Sequence, residues 1–291
     1  MPRPQCPTCL IPLVNGLTSW HFRCHKCQYE CSNLKPEINK AEIHKQINED
    51  DRENGLRKLR QQNFSLILKR IKKHKPSPSA RLLDVGAAHG WFLDLASPLF
   101  LAEGIEPDQA LFQYAKSKGN SVRLGYFPEA LLSNECFDVI IFNDVIEHIP
   151  DINFILQACY DRLNKDGLLI LNLPNSQGFF YRLSKILALF GLTRPFERLW
   201  QKGFPSPHVH YFNGDNLVML GLTKNFLTLE KAHLPSLTFN GLFTRIAYDQ
   251  NNRFLTNICL FLLIAPIVPL LKVLPKDIFF VIFKKINQTR H

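Results

Sequence analysis

The chain has 291 residues, of which 46% are hydrophobic and 21% are charged. This length requires at least one large core, and the ordinary composition excludes wholesale disorder, a collagen-like repeat and a multi-span membrane protein. Lys and Arg number 35 against 25 Asp and Glu, and the net charge of +10 favours an anionic partner such as RNA or anionic lipid. The 23 Phe residues crowd towards the C-terminal third, where charges become sparse.

The first region of the chain is rich in cysteine. Five of the eight Cys residues lie within residues 1–31, which lack the apolar stretch of a signal peptide. We therefore expect a cytoplasmic protein, in which a cysteine cluster indicates metal rather than a disulfide framework.

Two Cys-x-x-Cys pairs, Cys6 with Cys9 and Cys24 with Cys27, are separated by fourteen residues. Each pair can place two thiolates on one tight turn, and two such turns form a tetrahedral sulfur site suited to structural Zn²⁺. Asn15-Gly16 between them is a hairpin signal. The spacing predicts a zinc ribbon over residues 1–35. The alternative is a disordered tail with unligated cysteines, and a ribbon can serve either nucleic-acid binding or protein docking.

The next region, residues 36–78, is polar and basic with apolar residues at helical spacing, which predicts a basic helical linker. Its Lys-rich end and the prolines Pro76 and Pro78 mark a boundary. A larger domain is predicted over residues 79–235, with an insertion at 176–207. Residues 236–291 form a hydrophobic C-terminal segment.

The larger domain alternates short apolar runs with helix-length intervals. This pattern predicts an α/β fold with a parallel sheet covered by helices on both faces. The predicted strands are 82–85, 102–105, 121–124, 139–142 and 168–171.

The first of these strands, which carries Asp84, runs into a turn containing Gly86, Ala88 and Gly90. Glycines at such a turn let the backbone approach a ligand, and the following helix offers unpaired N–H groups. The next strand ends at Glu106, and a carboxylate at that place accepts hydrogen bonds from ribose hydroxyls in nucleotide-binding sheets.

The order of these motifs resembles that of class I S-adenosylmethionine-dependent methyltransferases. The similarity continues through the run Cys136 to Ile141, the stretch Asp144 to Asp151 and the run Leu163 to Ile170, and it ends at Leu173-Pro174-Asn175. The resemblance implies a Rossmann-like, doubly wound sheet, an S-adenosylmethionine cofactor and methyl transfer as the activity of residues 79–235.

The resemblance also implies roles for individual residues. The turn residues would face the methionine part of the cofactor, Glu106 the ribose, and the segment from Gly125 to Phe127 the adenine. The complete set of cofactor residues expected on this basis is Asp84, Gly86, Ala88, Gly90, Glu106, Phe127 and Asn143. Ala88 departs from the family's middle glycine, and the usual acidic partner of adenine near Gly125 is missing.

Acceptor chemistry is expected after the fourth strand. The sequence Asp144-x-x-Glu147-His148 resembles the Glu-x-x-Glu-His of ubiquinone-biosynthesis O-methyltransferases, some of which bind a divalent ion there. We expect catalysis by His148, His208 and His210, either as a general base or around a divalent ion with Asp144 and Glu147. The alternatives are structural: Glu147 stabilises the following helix, His148 packs beneath the cofactor, and the two later histidines fix a turn.

The insertion carries an apolar helical stripe that fits either a lid or an amphipathic helix in a membrane interface. Residues 254–271 carry no charge, but Pro266 and Pro269 make a straight span doubtful, so an interfacial anchor is expected and buried helices are the alternative. These features favour an O-methyltransferase acting on a small or lipid-linked acceptor, a saccharide or a quinone-like ring. The alternatives are an RNA methyltransferase and a cofactor-dead scaffold.

Overall fold

The computed structural model describes residues 4–36, 49–237, 257–258, 261–262, 265–271 and 273–287. Seven of the eighteen residues of the predicted anchor at 254–271 lie outside the described residues. Within them, no helix is both long enough and apolar enough to cross a membrane.

A seven-stranded sheet forms the centre of the molecule. Its strands are β4 (Arg81–Val85), β5 (Leu101–Glu106), β6 (Val122–Leu124), β7 (Phe137–Asn143), β8 (Leu163–Pro174), β10 (Phe226–Leu234) and β11 (Ile278–Lys285). They lie in the order β10-β11-β8-β7-β4-β5-β6. The five strands from β8 to β6 pair in parallel, and β11 is antiparallel to both of its neighbours. This architecture confirms the predicted doubly wound α/β sheet.

Helices cover both faces of the sheet, because the central strands are apolar on both sides. Side-chain caps stabilise several helix starts: Asp108 and Asp151 accept backbone N–H bonds, and Asn213 forms a capping box with Asn216. The helices are α1 (Glu49–His74), α2 (Trp91–Ala96), α3 (Gln109–Ser117), α4 (Ile152–Arg162), α5 (Phe179–Leu189), α6 (Arg194–Leu199) and α7 (Gly214–Thr223), with a 3₁₀ turn at Ile146–His148 and a short helix at Ile267–Leu270.

The apolar cluster near the end of the chain was expected in a separate C-terminal segment, but it belongs to the central sheet. Residues Ile278–Lys285 form β11, which pairs with β8 and β10 over its whole length. Phe279, Phe280 and Phe283 are all buried there. A short, continuous apolar run is compatible with an interior strand as well as with a membrane anchor. In this fold the run fills the position between β8 and β10 and is a strand.

The N-terminal ribbon forms a second sheet, composed of β1 (Val14–Asn15), β2 (His21–Arg23), β3 (Glu30–Ser32) and β9 (His210–Tyr211). The last strand of this sheet comes from the larger domain, directly after the insertion. An aromatic cluster covers the junction and joins Trp20 of the ribbon to Tyr181, Phe196, Trp200 and Tyr211. The ribbon therefore shares its sheet and its core with the larger domain.

Candidate active site

The turn after β4 brings backbone close to the cleft. Gly86, Ala88 and Gly90 all have positive φ, at 76°, 46° and 79°. A Cβ at Gly86 would come within 2.5 Å of a methyl carbon of Val145, so this position has room only for glycine. The turn therefore has the close backbone approach that a bound ligand requires.

Glu106 lies at the end of β5, beside this turn. One carboxylate oxygen accepts the N–H of Ala88 at 2.7 Å, and the other accepts that of Asp108 at 2.8 Å. Burial raises the pKa of Glu106 to about 7, although the two N–H donors favour the ionised form. The carboxylate is thus oriented by backbone, and each oxygen keeps a second lone pair with which a ribose hydroxyl can bond.

Asp84 is buried on β4, the strand next to β5. Its carboxylate accepts the side-chain N–H of Asn143 at 3.2 Å, and the oxygen of Asn143 accepts the amide of Asn172 at 3.4 Å. Burial raises the pKa of Asp84 to about 8. This chain of polar side chains joins β4, β7 and β8 beneath the cleft.

The cleft itself has a volume of about 680 Å³. Gly86, Ala88, Glu106, Phe127 and Asn143 line it, whereas Asp84 and Gly90 do not reach its surface. Phe127 is buried and packs edge-to-face on Phe142, with a ring-centroid distance of 5.8 Å. The volume and the mixture of apolar and directed polar groups suit a nucleoside-sized ligand together with an acceptor.

A second group of side chains, the acceptor cluster, lines the same cleft: Glu147, His148 and His208. One ligand atom from each lies within 4.8 Å of the others. Nδ1 of His148 bonds the carbonyl of Pro207 at 3.0 Å, and Nε2 of His208 bonds Gln201 at 3.0 Å. Asp144 is not in this group; it forms an ion pair with Arg60 of α1 at 3.6 Å.

The electrostatics of the acceptor cluster follow from burial. Desolvation raises the pKa of Glu147 well above its usual value, and Asp144 adds to the shift. Desolvation, with a contribution from His148, lowers the pKa of His208 well below its usual value. Among the described residues, Oε2 of Glu147 and Nδ1 of His208 are buried without a hydrogen-bond partner, as expected for groups that await a ligand.

His210 lies outside this cluster, against expectation. The hydroxyl of Tyr29 donates to its Nδ1, and its Nε2–H donates to the carbonyl of Ile149 at 2.8 Å. Burial lowers the pKa of His210 to about 4. Both ring nitrogens are therefore engaged in joining the ribbon to the 3₁₀ turn, which favours the structural alternative over catalysis for this histidine.

The four ribbon cysteines meet as the spacing predicts. One sulfur from each of Cys6, Cys9, Cys24 and Cys27 lies within 4.8 Å of the others, and the Sγ atoms of Cys6 and Cys27 are 3.5 Å apart. Thiolates around a tetrahedral Zn²⁺, at a Zn–S distance of about 2.3 Å, stand roughly 3.8 Å apart. The arrangement therefore fits a structural zinc ion.

Sequence reasoning missed several residues of the cleft. Arg60 belongs to the predicted linker, and Gln201 and Phe204 belong to the insertion, yet all three line the cleft. No local motif marks these positions, because tertiary packing alone brings α1 and the insertion to the ends of β4 and β7.

Comparison with known proteins identifies the class. Residues 53–228 match the family model described as a methyltransferase domain, and the chain belongs to this family. The fold is that of class I S-adenosylmethionine-dependent methyltransferases. Among solved structures it is similar to a cyclopropane synthase from Mycobacterium tuberculosis, with a TM-score of 0.56, 14% identity and coverage of 87% of this chain and 90% of that one.

A second similar structure is phosphoethanolamine N-methyltransferase 2 from Haemonchus contortus in complex with S-adenosyl-L-methionine. Its TM-score is 0.53 at 14% identity, over 77% of this chain and 53% of that one. At this identity both likenesses show the fold alone.

Curated relatives are ubiquinone biosynthesis O-methyltransferases. The mitochondrial protein of Rattus norvegicus is 28% identical over 146 residues, which cover 46% of this chain and 42% of the relative. The protein of Pelagibacter ubique is 29% identical over 103 residues, covering 33% and 43%. The chain thus spans about two-fifths of the length of the curated relatives that it matches.

Proposed function

We propose that the protein is an S-adenosylmethionine-dependent methyltransferase that methylates a hydroxyl group of a small or lipid-linked acceptor, either a saccharide or a quinone-like ring. The observation that carries the proposal is the presence of the acceptor cluster in the same cleft as the Gly86 turn and Glu106. The similarity to ubiquinone biosynthesis O-methyltransferases supports oxygen as the methylated atom and favours the quinone-like acceptor.

When bound, S-adenosylmethionine would supply an electrophilic methyl group on a positively charged sulfur. That group would pass to the acceptor oxygen as the C–S bond breaks and the neutral thioether S-adenosylhomocysteine leaves. The protein has to align the acceptor and remove its proton. In our proposal the turn holds the methionine part, Glu106 accepts the ribose hydroxyls and Phe127 packs on the adenine. Asn143 holds Asp84 in place behind the turn.

His148 is the proposed general base. A carbonyl only accepts hydrogen bonds, so the bond from Nδ1 of His148 to Pro207 fixes the proton on Nδ1 and makes Nε2 the basic nitrogen. His208 lies next to it, with 4.7 Å between ring centroids, and its lowered pKa keeps it neutral at pH 7. His208 therefore assists His148 as a neutral neighbour and does not compete with it for the proton of the acceptor hydroxyl.

Calorimetry with S-adenosylmethionine tests the cofactor site. Glu106→Gln should weaken binding roughly ten- to a hundredfold, because a hydrogen bond to a charged group contributes about 1.5–3 kcal/mol. Glu129→Gln is the control, since Glu129 is exposed and does not line the cleft. Equal affinity in both variants would remove the ribose role of Glu106. A folded wild type that binds no cofactor would support a scaffold instead.

As the alternative to a general base, we propose that the acceptor cluster binds a divalent ion, in which case Nε2 of His148 is a ligand and does not take the proton. Glu147, His148 and His208 would hold it, and the two buried polar atoms without partners, on Glu147 and His208, support this. One carboxylate and two imidazoles suit a transition metal with open positions, which would lower the pKa of an acceptor hydroxyl. Mn²⁺ binding measured by paramagnetic resonance should be lost in His208→Ala and kept in His233→Ala, an exposed histidine. Retained binding in both would refute the site.

Peripheral membrane contact is proposed through the insertion. The exposed side of α5 and the residues just after it carry four exposed apolar side chains, those of Ile186, Leu189, Phe190 and Leu192. Phe190 is 81% exposed. Arg182 and Arg194 are exposed nearby along the chain, so the surface suits an anionic bilayer. The same insertion also lines the cleft with Phe204, so one segment of the chain would contact both the bilayer and the bound acceptor.

Vesicle flotation tests this contact. The protein should bind phosphatidylcholine vesicles that contain phosphatidylglycerol, and the pair Leu189→Ser and Phe190→Ser should bind roughly tenfold more weakly, because the apolar area available for burial is smaller. Leu132→Ser with Leu222→Ser is the matched control, since both leucines are exposed elsewhere. If both pairs float like the wild type, the insertion is not the contact. Salt-dependent RNA binding without vesicle binding would favour the RNA methyltransferase.

A further inference from the structure

The strand β9 is held on both sides. The N–H of Val209, at its start, donates to the carbonyl of Glu147 at 2.8 Å. On the opposite side, the carbonyl of Val209 accepts the N–H of Ser32 at 3.1 Å. The backbone that carries His208 is therefore clamped between the 3₁₀ turn and strand β3 of the ribbon.

Side chains repeat the same connection. The hydroxyl of Ser32 donates to the carbonyl of His208 at 2.8 Å. Tyr29 donates to His210, which in turn donates to the carbonyl of Ile149, next to His148. Tyr29 and His210 are both buried, so these bonds are shielded from water.

The cysteine turns connect to this clamp directly. The carbonyl of Cys27 accepts the side-chain amides of Asn213 at 3.4 Å and Asn216 at 3.2 Å, both at the start of α7. The N–H of Cys24 donates to the carbonyl of Tyr29 at 2.7 Å. The position of Tyr29 therefore depends on the shape of the metal site.

We infer that the metal-loaded ribbon sets the geometry of the acceptor cluster, with Tyr29 as a positioning residue that acts through His210 on the turn carrying His148. This inference rests on the proposed function, which assigns the cluster to the acceptor. The cofactor side of the cleft is built by the turns after β4 and β5. Among the described residues, the ribbon strands pair only with one another and with β9. Loss of metal should therefore disturb the acceptor side and spare the cofactor side.

Hydrogen exchange of the full-length protein, with S-adenosylhomocysteine as the probe ligand, tests the inference. Removal of the ribbon metal by a chelator should make residues 207–212 exchange roughly tenfold faster, because they lose the hydrogen bonds to β3. Residues 82–106 should lose much less protection than residues 207–212, and the affinity for S-adenosylhomocysteine should change by less than about twofold. Faster exchange confined to residues 4–32 would overturn the inference.

The variant Tyr29→Phe tests the inference even if removal of the metal unfolds the chain. This variant should retain its zinc content, exchange roughly fivefold faster at residues 207–212 and shift the ring resonances of His148, to which Tyr29 is linked through His210 and the carbonyl of Ile149. Tyr160→Phe is the control, because its hydroxyl donates to the carbonyl of Ile286 at 2.8 Å, away from β9. Exchange and histidine resonances identical to the wild type in Tyr29→Phe would overturn the inference. A metal-loaded wild type that fails to bind S-adenosylhomocysteine would instead refute the proposed cofactor site.

Discussion

Ala88 takes a backbone conformation that most residues avoid. Its φ of 46° is left-handed, where a Cβ crowds the following carbonyl at a cost of roughly 1–2 kcal/mol. The sequence alone suggested only a question of size, whether a methyl group fits where the family has glycine. The structure shows that the departure acts on the backbone, while the N–H of Ala88 still reaches Glu106 at 2.7 Å.

We expect Ala88→Gly to raise the free energy of unfolding by about 1 kcal/mol, because glycine adopts positive φ without strain. Affinity for S-adenosylmethionine should be equal or higher, since the Glu106 bond is kept. Chemical denaturation and calorimetry measure the two quantities. Ala87→Gly, at a buried neighbour without positive φ, should instead destabilise the protein. A loss of stability in Ala88→Gly equal to that of the control would contradict the argument.

Asp84 makes stability depend on pH. Burial raises its pKa from 3.8 to about 8 in the folded protein, so between these values it is protonated when folded and ionised when unfolded. Its contribution to stability is complete below the lower value and is lost as the pH rises to the higher one. As the pH rises from 4 to 8, the free energy of unfolding of Asp84→Asn should therefore increase relative to that of the wild type. Denaturation without cofactor measures this difference. A constant difference across this range would show that Asp84 is ionised in the folded state.

Gly86, Ala88 and Glu106, which carry local signals, line one cleft as the sequence predicts, whereas residues brought there by tertiary packing carry no such signal. The glycines and Glu106 follow strand ends, and strand ends of a parallel sheet meet at one edge, so their proximity follows from the pattern. His208 and His210 are two residues apart and were treated alike. Regular alternation would place residues two apart on the same face of a strand, but His208 precedes β9 and does not follow that pattern. His208 lines the cleft, whereas His210 bonds to Tyr29.

At the scale of elements, β11 shows the limit of pattern reading. Its eight residues are apolar until the final lysines, with no polar alternation that could separate a buried strand from an anchor. The parallel strands between helices were predictable because their order repeats. β11 fills the position between β8 and β10, and no sequence pattern reveals that the sheet has room for a strand there.

A chain cut after Asp249 should lose its cooperative unfolding transition. The cut removes β11, which separates β8 from β10 and carries the buried Phe279 and Phe283. Thermal unfolding followed by circular dichroism measures the effect. A chain cut after Asn287 keeps every residue of β11 and should unfold like the full-length protein. If the shorter chain also unfolds cooperatively and binds S-adenosylmethionine, β11 is dispensable.

At the scale of the whole molecule, the ribbon is part of the main core rather than an appended module. Cys6, Leu13 and Tyr29 belong to the same buried cluster as Phe142 and Leu171 of the central sheet. The buried carboxylate of Glu30 adds an ion pair with Lys185 of the insertion at 2.6 Å. The sequence indicated a ribbon and an α/β domain, but it held no sign that they share a strand.

Scanning calorimetry should accordingly give one transition for the metal-loaded protein, and chelation should move it as a whole to lower temperature. A metal that binds only the folded chain stabilises everything that unfolds with its site. A protein with zinc restored is the control and should recover the original midpoint. A separate ribbon transition, with the midpoint of the larger domain unchanged, would show that the two parts unfold independently.

The position of β11 also affects how the protein is made. During synthesis, β8 emerges with one edge exposed, and its partner follows more than a hundred residues later. β10 emerges in between but has no direct place beside β8. The nascent chain therefore carries an open, apolar strand edge until residues 278–285 leave the ribosome, and such an edge invites chaperones or aggregation. Slow translation or a premature stop late in the message would then harm this protein more than an equal loss at a surface loop.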